Sequence, residues 1–326
     1  MIKLSFPTLT RIAALMVACV LVGCGGASST VNPLTPTRVI AFGDSFSTVN
    51  GSGYATYSVN TSETNATVAS RIATTYGFTM TNVSGTGALA STGAFSYAVG
   101  TATSSQTASQ ISDFLTANTP GSKDLFIITA GTQDIVAQAP TNNTTNIATA
   151  ATTLTTAIQS LTNKGAQYVL VMQPINVART PWAVSGSYTA NAQALSYDSG
   201  TLCQSFSCLL STKLNAAYPA TSSHQPILLA DLMSYFNLIT GTTSTGSANT
   251  YTSYGVTNPD TAVCSTAPPS CTTSTVNTGT LSYTGTAVSW DYTASIFASS
   301  LYTTPFANRL LADYIYNYNF YRAGWR

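Results

Sequence analysis

Ser45 stands where a short apolar segment gives way to a turn, a position from which a serine hydroxyl can act as a nucleophile. The segment Arg38-Val-Ile-Ala-Phe42 runs directly into Gly43-Asp44-Ser45. A glycine before the serine permits a tight strand-to-helix turn, and the backbone N–H groups of such a turn can stabilise a developing oxyanion. The pattern predicts a nucleophile-type serine, although Gly-Asp-Ser is also frequent in ordinary turns.

Several segments along the chain, taken together, resemble the GDSL/SGNH-family ester hydrolases. Phe42 to Ser47 is similar to the family's first block, and Leu125 to Ile135 resembles its third, a strand running into Gly-x-Asn-Asp. Val169 to Ile175 and Leu228 to Leu232 look like later strands, and Ile296 to Tyr314 resembles the terminal block and its helix. The segments follow the family's order over most of the chain, which implies an ester hydrolase fold.

The resemblance implies that Ser45 is the nucleophile and that the terminal block supplies the acid and base of a triad. In the family this block reads Leu-Phe-Ala-Asp-x-x-His-x-Thr-Pro. A gapless match to Ile296 through Pro305 places Ser299 at the aspartate position and Tyr302 at the histidine position. Loss of one triad member costs roughly four to six orders of magnitude in rate, so these two replacements put catalysis in question.

The resemblance also implies an oxyanion hole built from backbone N–H groups of the serine turn and from two later blocks. Gln133 takes the place of the family's asparagine in the third block. For the second block, the segment Phe95 to Ala102 is the preferred match and puts Gly100 and Thr101 at the oxyanion position. A rival match further upstream would use Gly87 instead.

The sequence offers few substitutes for the missing base. The single histidine, His224, stands just before a strand and is expected at the amino edge of the sheet, away from Ser45. The Tyr302 phenol, with an ordinary pKa near ~10, is a poor base at neutral pH. Asp291 is a carboxylate that precedes Tyr302 in the same terminal part of the sequence. A carboxylate near pKa ~4 activates a serine weakly unless it is buried.

The sequence is therefore compatible with three functions. The first is an SGNH/GDSL-type hydrolase that acts on the ester bonds of an acyl or lipid substrate, although the sequence leaves open whether the protein is an active enzyme. The alternative is a non-catalytic pseudo-hydrolase that binds an acylated lipid or glycan at the cell envelope. The third is a purely structural envelope lipoprotein. We expect a small-molecule or lipid ester as ligand, no cofactor and a monomeric protein.

The elements that position these residues are apolar strands separated by helices. The clearest strands are apolar almost throughout, as in a parallel sheet covered on both faces, and lie at 38–42, 123–130, 166–172 and 226–230. Apolar residues at helical spacing predict helices at 66–76, 107–116, 143–163 and 304–316. The alternation predicts a three-layer α/β fold, an open parallel sheet of about five strands flanked by helices. By resemblance this fold is SGNH/flavodoxin-like.

Residues 38–326 are predicted to form a single domain. Between residues 241 and 286 the sequence becomes rich in Thr, Ser, Gly and Asn and has few apolar anchors. This composition predicts a long loop or small insertion within the domain, placed over the site. Ahead of the domain, residues 25–37 are small and uncharged and lack periodicity, which is typical of a flexible tether.

Charged residues make up only 6% of the chain, against about 25% in a typical soluble domain, and the formal net charge is +1. A phosphate backbone would find little to bind on such a surface. The composition therefore argues against nucleic-acid binding.

The amino terminus has the pattern of an exported lipoprotein. Lys3 and Arg11 precede an apolar run from Ile12 to Val22 that is too short for a stable membrane span and is typical of a signal peptide. The run ends in Leu-Val-Gly-Cys24, which looks like a bacterial lipobox, so residues 1–24 are predicted to be the lipoprotein signal with Cys24 as the lipidated residue. Gly25, rather than aspartate, follows and favours the outer membrane of a Gram-negative cell.

Two close cysteine pairs, Cys203/Cys208 and Cys264/Cys271, remain in the predicted domain. In an oxidising compartment such neighbours most simply form two local disulfides. Metal binding is the rival interpretation, but the chain has one histidine and no tight Cys-x-x-Cys, so no metal site is expected.

Overall fold

The computed structural model describes residues 33–198, 202–220, 225–241, 250–283 and 286–326. Its centre is a parallel sheet of six strands in the order β2-β3-β1-β4-β5-β6. These strands are β1 (Arg38–Gly43), β2 (Met80–Asn82), β3 (Gly93–Ser96), β4 (Asp124–Thr129), β5 (Tyr168–Met172) and β6 (Ile227–Ala230). The predicted open parallel sheet is confirmed, and it has six strands where about five were expected.

Helices flank the sheet. They are α1 (Val68–Thr75), α2 (Ser104–Ala117), α3 (Thr132–Gln138), α4 (Thr144–Asn163), α5 (Pro181–Ser185), α6 (Thr189–Ser196), α7 (Phe206–Ala217), α8 (Leu232–Ile239), α9 (Pro305–Tyr314) and α10 (Tyr321–Ala323). A π-helical segment, Ile315–Phe320, joins α9 to α10, and 3₁₀ turns occupy Val177–Arg179 and Thr250–Tyr254.

The strands are apolar throughout because both faces of the sheet are covered. In β1, Val39 and Ala41 belong to one core cluster, whereas Ile40 and Phe42 belong to a second cluster on the other face. All four side chains are fully buried. Successive strand residues point to opposite faces, so this division confirms the predicted three layers.

The four helices predicted from periodicity are present with shifted ends, as α1, α2, α4 and α9. The helices α3, α5, α6, α7, α8 and α10 were not predicted. In α6 and α7, Ala, Ser, Thr and Asn alternate with apolar residues, so the periodic signal is weak. The strands β2 and β3 were missed for a similar reason, because each has only a few residues.

Both predicted disulfides, Cys203–Cys208 and Cys264–Cys271, are present. The second closes a loop within the predicted insertion 241–286. That loop is attached to the terminal segment of the domain, since Val263 N–H donates to the Phe297 carbonyl and Cys264 N–H to the Ala298 carbonyl. The rest of the insertion includes β7 (Thr280–Tyr283), which pairs antiparallel with β8 (Thr286–Ser289); residues 242–249 and 284–285 lie outside the described ranges.

The described chain begins inside the predicted tether 25–37. Leu34 is buried and its N–H donates to the Trp325 carbonyl, so the last tether residues pack on the domain. Cys24 and the predicted signal sequence lie outside the described residues. No helix in the described part of the chain is both long enough and apolar enough to cross a bilayer.

An ion pair at the amino edge of the sheet joins β1 to β4. The Asp124 carboxylate accepts from Arg38 Nη2 at 2.5 Å and from Arg38 Nε at 3.1 Å. It also accepts from the Thr37 hydroxyl and the Gly121 N–H, and the Asp124 side chain is only 1% exposed. Two neighbouring central strands are thus fixed by a buried, fully hydrogen-bonded carboxylate.

We predict that Asp124→Ala lowers the free energy of unfolding by about 3–5 kcal/mol, because it leaves the Arg38 charge buried without a partner. The matched control is Asp313→Ala, which removes the exposed and longer Arg71–Asp313 pair at 3.6 Å and should cost only about 0–1 kcal/mol. Urea unfolding of both variants measures the difference. Equal losses would contradict the structural role assigned to Asp124.

Candidate active site

The turn that carries Ser45 is built around Gly43. This glycine has a φ of 126°, and a Cβ on it would lie 1.8 Å from the Thr129 carbonyl oxygen. No other residue fits, because the backbones of β1 and β4 approach too closely and the φ is left-handed. The chain turns sharply there, and Ser45 lies at the carboxyl edge of the sheet, 9% exposed.

The sequence suggested that the serine turn leads directly into a helix. In the structure, no helix follows this turn directly. Ser47 N–H and the Thr48 hydroxyl both donate to the Asp44 carbonyl, at 3.0 and 2.8 Å, and close a compact turn. The first helix begins only at Val68. An oxyanion at Ser45 would therefore be stabilised by individual N–H groups and side chains, without the dipole of a following helix.

Gln110 and Thr129 hold this turn in place. The Gln110 side chain accepts from Gly43 N–H at 2.6 Å and donates to the Gly43 carbonyl at 3.1 Å, so one amide clamps both polar groups of one residue. The Thr129 hydroxyl accepts from Asp44 N–H at 3.1 Å. All of these groups are buried, which makes the turn rigid.

The segment after β3 lies directly beside the serine turn. Val99 N–H donates to the Gly43 carbonyl at 2.9 Å, which brings the predicted oxyanion residues Gly100 and Thr101 to the carboxyl edge. Gly100 is buried and Thr101 is exposed. The rival Gly87 lies elsewhere: its carbonyl accepts from Asn118, just past α2, near the amino edge of the sheet. The geometry thus favours the Gly100 match.

Gln133 follows β4 on the other side of Ser45, near the start of α3. Its Nε2 is buried and has no hydrogen-bond partner among the described residues. The next residue, Asp134, accepts from both the N–H and the hydroxyl of Ser104, at 2.9 and 2.8 Å, and so ties α3 to the start of α2. Gln133 therefore holds its amide, without a close hydrogen bond, beside the Tyr302 phenol, whose pKa it lowers.

Ser299 and Tyr302 belong to one tight turn in the terminal segment. Phe297 and Thr303 pair across this turn, Ser299 N–H donates to the Tyr302 carbonyl at 3.2 Å, and the Ser299 hydroxyl accepts from Tyr302 N–H at 3.4 Å. Ser299 is buried and Tyr302 half-buried. The turn keeps these two residues adjacent, as the family match predicts for the acid and base positions.

Tyr57 connects the two sides of the site. Its ring packs edge-on against the Tyr302 ring, with centroids 5.1 Å apart, and also covers Gly100, where a Cβ would lie 2.1 Å from Tyr57 Cδ2. One aromatic side chain thus spans the space between the oxyanion segment and the terminal turn. Any side chain at position 100 would displace it.

Burial raises the pKa of the Tyr302 phenol from its ordinary 10.0 to about 12. The neighbouring Tyr57 and, more weakly, the Asp44 carboxylate contribute to this rise, and the Gln133 amide opposes it. Of these groups, Tyr57 is in direct ring contact with Tyr302. A phenol with this pKa keeps its proton at neutral pH and acts as a hydrogen-bond donor.

Burial also raises the pKa of Asp44, from 3.8 to about 6. Hydrogen bonds from Thr129 and from the Phe46 N–H oppose the rise, and the nearby Asp134 carboxylate adds to it. Because burial likewise raises the pKa of Asp134, two poorly solvated carboxylates lie behind the site.

Of the other two candidate bases, only Asp291 lies among the described residues. His224 lies outside the described residues, so its predicted position at the amino edge stays a prediction. Asp291 accepts from the N–H and hydroxyl of Thr293, at 2.8 and 2.7 Å, within its own turn.

One group of possible metal ligands occurs in the described ranges, where side-chain atoms of Asp198, Cys203 and Cys208 lie within 4.8 Å of one another. The two sulfurs form a disulfide and offer no thiolate. The Asp198 carboxylate accepts from Gln204 and Ser205 N–H groups, so it closes the loop.

Three residues that shape the site were not predicted from the sequence: Tyr57, Gln110 and Thr129. Thr129 ends an apolar strand, and its role follows only from its pairing with Gly43 in the sheet. Gln110 is a buried polar residue within the apolar spacing of α2, which could have suggested a partner. Tyr57 lies in a segment without periodicity, so nothing local identified it.

Comparison with known proteins finds a family that matches most of the chain. Residues 39–291 match the family described as GDSL-like Lipase/Acylhydrolase. A member of the lipolytic protein G-D-S-L family from Veillonella parvula DSM 2008 has a similar solved structure, at 11% identity and a TM-score of 0.44, over 86% of this chain and 97% of that one. No curated protein matches. Ser299 and Tyr302 lie beyond the family match, which ends at residue 291.

We predict that Asp44→Asn makes stability less dependent on pH. A raised folded-state pKa means that the folded protein keeps a proton that the unfolded chain has lost, so stability falls as pH rises from about 4 to about 6 and stays lower above that range. Asparagine keeps the acceptor for Phe46 N–H but does not ionise. Relative to wild type, the variant should gain about 2–3 kcal/mol between pH 4 and 7.5.

Urea unfolding across this pH range measures the gain, with the exposed Asp260→Asn as control. Parallel curves for wild type and Asp44→Asn would show that Asp44 titrates normally.

Proposed function

Because the chain belongs to the GDSL-like lipase/acylhydrolase family, we propose that it recognises an ester-bearing ligand around Ser45 and hydrolyses it only slowly at neutral pH. The observation that carries this proposal is the Tyr302 phenol, whose pKa is raised to about 12. Where the family has an imidazole that accepts a proton, this chain has a group that donates one.

The donors around Ser45 suit the oxygens of an ester, which accept hydrogen bonds and donate none. Gln133 Nε2 is buried and lies beside the Tyr302 phenol without a close hydrogen bond, so its capacity to donate is not fully used. An ester carbonyl bound beside Gln133 and the Tyr302 hydroxyl would satisfy that donor. The backbone of the Gly100 segment adds further N–H groups at the same edge.

Hydrolysis needs more than these donors. Attack of the Ser45 hydroxyl on the carbonyl carbon requires a group that takes its proton, and an imidazole held by a carboxylate normally does so. Tyr302 is already protonated. Asp44 accepts the Phe46 N–H and, with a pKa of about 6, is a weak base for a serine hydroxyl. Slow turnover follows from this lack of an effective base.

We predict that the double variant Ser299→Asp, Tyr302→His hydrolyses p-nitrophenyl acetate at least ~100-fold faster than wild type, because it restores a carboxylate-held imidazole. The terminal turn already holds the two positions together. Steady-state release of p-nitrophenol at pH 7.5 measures the change. Ser45→Ala in the double-variant background should remove the gain, and Tyr302→His alone should give a smaller one.

Wild-type turnover at the roughly 1–1000 per second of ordinary enzymes would contradict slow hydrolysis. In that case, unchanged activity of Tyr302→Phe would mean that another residue is the base. If neither protein is active but a peracetylated sugar still binds, detected by saturation-transfer NMR and weakened by Gln133→Ala, the pseudo-hydrolase alternative is favoured.

We also propose that the domain is held at the outer membrane by a lipid on Cys24, facing the periplasm or the cell surface. The support is the Leu-Val-Gly-Cys24 sequence after an apolar run, with Gly25 next, and the two local disulfides suit an oxidising compartment. The last part of the linker from Cys24 packs on the domain at Leu34.

We predict that metabolic labelling with an alkyne fatty acid marks the wild-type protein and that Cys24→Ala abolishes the label, because the thiol is the proposed acylation site. Cys19→Ala is the matched control and should keep the label. Equal labelling of wild type and Cys24→Ala would end the lipoprotein proposal.

A further inference from the structure

A cavity of about 180 Å³ lies where α1 packs against α9. Two arginines, Arg71 of α1 and Arg309 of α9, line it together with Glu63, Tyr292 and Phe306. The whole chain has only 11 Lys and Arg residues, so two guanidinium groups in one small cavity are a local concentration of positive charge.

Arg71 has an unsatisfied donor at this cavity. Its Nε is buried and has no hydrogen-bond partner in the described part of the chain. The nearest carboxylate oxygen, from Asp313, is 3.6 Å away and the Asp313 side chain is 44% exposed, so this pair is long and screened by solvent. The Arg71 guanidinium therefore lacks a close counter-ion, and an anion in the cavity would supply one.

Arg309 supplies the second positive group. Its guanidinium lies 5.1 Å from the centre of the Phe306 ring, which holds it in place, and it makes no ion pair within the described ranges. Pro305 begins α9, and no acidic residue occupies the first turn, so the positive end of the helix dipole adds to the field. Glu63 is exposed, where water screens its charge.

We propose that this cavity binds an oxyanion group, a carboxylate or a phosphate, of a small ligand. The Arg71 and Arg309 guanidinium groups donate to its oxygens, since guanidinium groups match both anions geometrically. The volume is below the ~300–1,000 Å³ of pockets that hold whole small molecules. It suits one charged substituent, with the remainder of the ligand outside.

Binding is tested by thermal unfolding of the purified domain in acetate or inorganic phosphate, against chloride at equal ionic strength. We expect one or both anions to raise the Tm of wild type in a saturable way. A carboxylate site responds to acetate, and a phosphate site to phosphate. Arg309→Gln, at an exposed position that folding tolerates, should weaken the affinity ~10-fold or more by removing a charge-assisted hydrogen bond.

Arg71→Lys keeps the charge and the aliphatic stem but removes the Nε donor, and it should also weaken binding. Arg322→Gln is the matched control, because Arg322 makes a similar cation–π contact with Tyr318, at 5.2 Å, outside the cavity. No saturable rise with either anion, or equal affinity in wild type and Arg309→Gln, would overturn the proposal. No ester substrate is involved, so failure here leaves the function proposed for Ser45 untouched.

Discussion

The backbones of β1 and β4 pass so closely at Gly43 and Thr129 that no side chain fits between them. A Cβ on Gly43 would lie 1.8 Å from the Thr129 carbonyl oxygen, and the two residues are direct partners in the parallel register. This contact forces the turn that puts Ser45 at the carboxyl edge. Gln110 then clamps the Gly43 peptide, so the position of the serine depends on three separate elements meeting at one glycine.

The rest of the site is arranged to donate hydrogen bonds. The buried Gln133 amide lies beside the Tyr302 phenol, and burial keeps that phenol protonated. The same low-polarity environment raises the pKa of Asp44. In the function we propose, these donors stabilise an ester carbonyl, while no described residue near Ser45 is an effective base for its proton. Recognition and proton transfer are thus physically separable.

Buried cross-links connect distant segments of this charge-poor domain. The Asp124 carboxylate, with Arg38, joins two central strands at the amino edge, and Asp134 joins α3 to α2 at the carboxyl edge. The disulfide Cys264–Cys271 closes a loop whose backbone pairs with the strand-like segment before Ser299. Cross-links between distant segments therefore fix both the sheet and the turn that carries Tyr302.

The sequence by itself determined the parallel α/β fold, the serine turn and both disulfide pairings, because strand apolarity, a glycine before the serine and cysteine proximity are local signals. The family match also assigned Ser299 and Tyr302 to the acid and base positions, and it preferred the segment of Gly100 and Thr101 over Gly87. The sequence did not indicate β2, β3 or six of the flanking helices. Only the tertiary structure brought Tyr57 between Gly100 and Tyr302 and raised the phenol pKa. These features depend on contacts between residues far apart in the chain, and burial, which sets the pKa, exists only after those segments have packed.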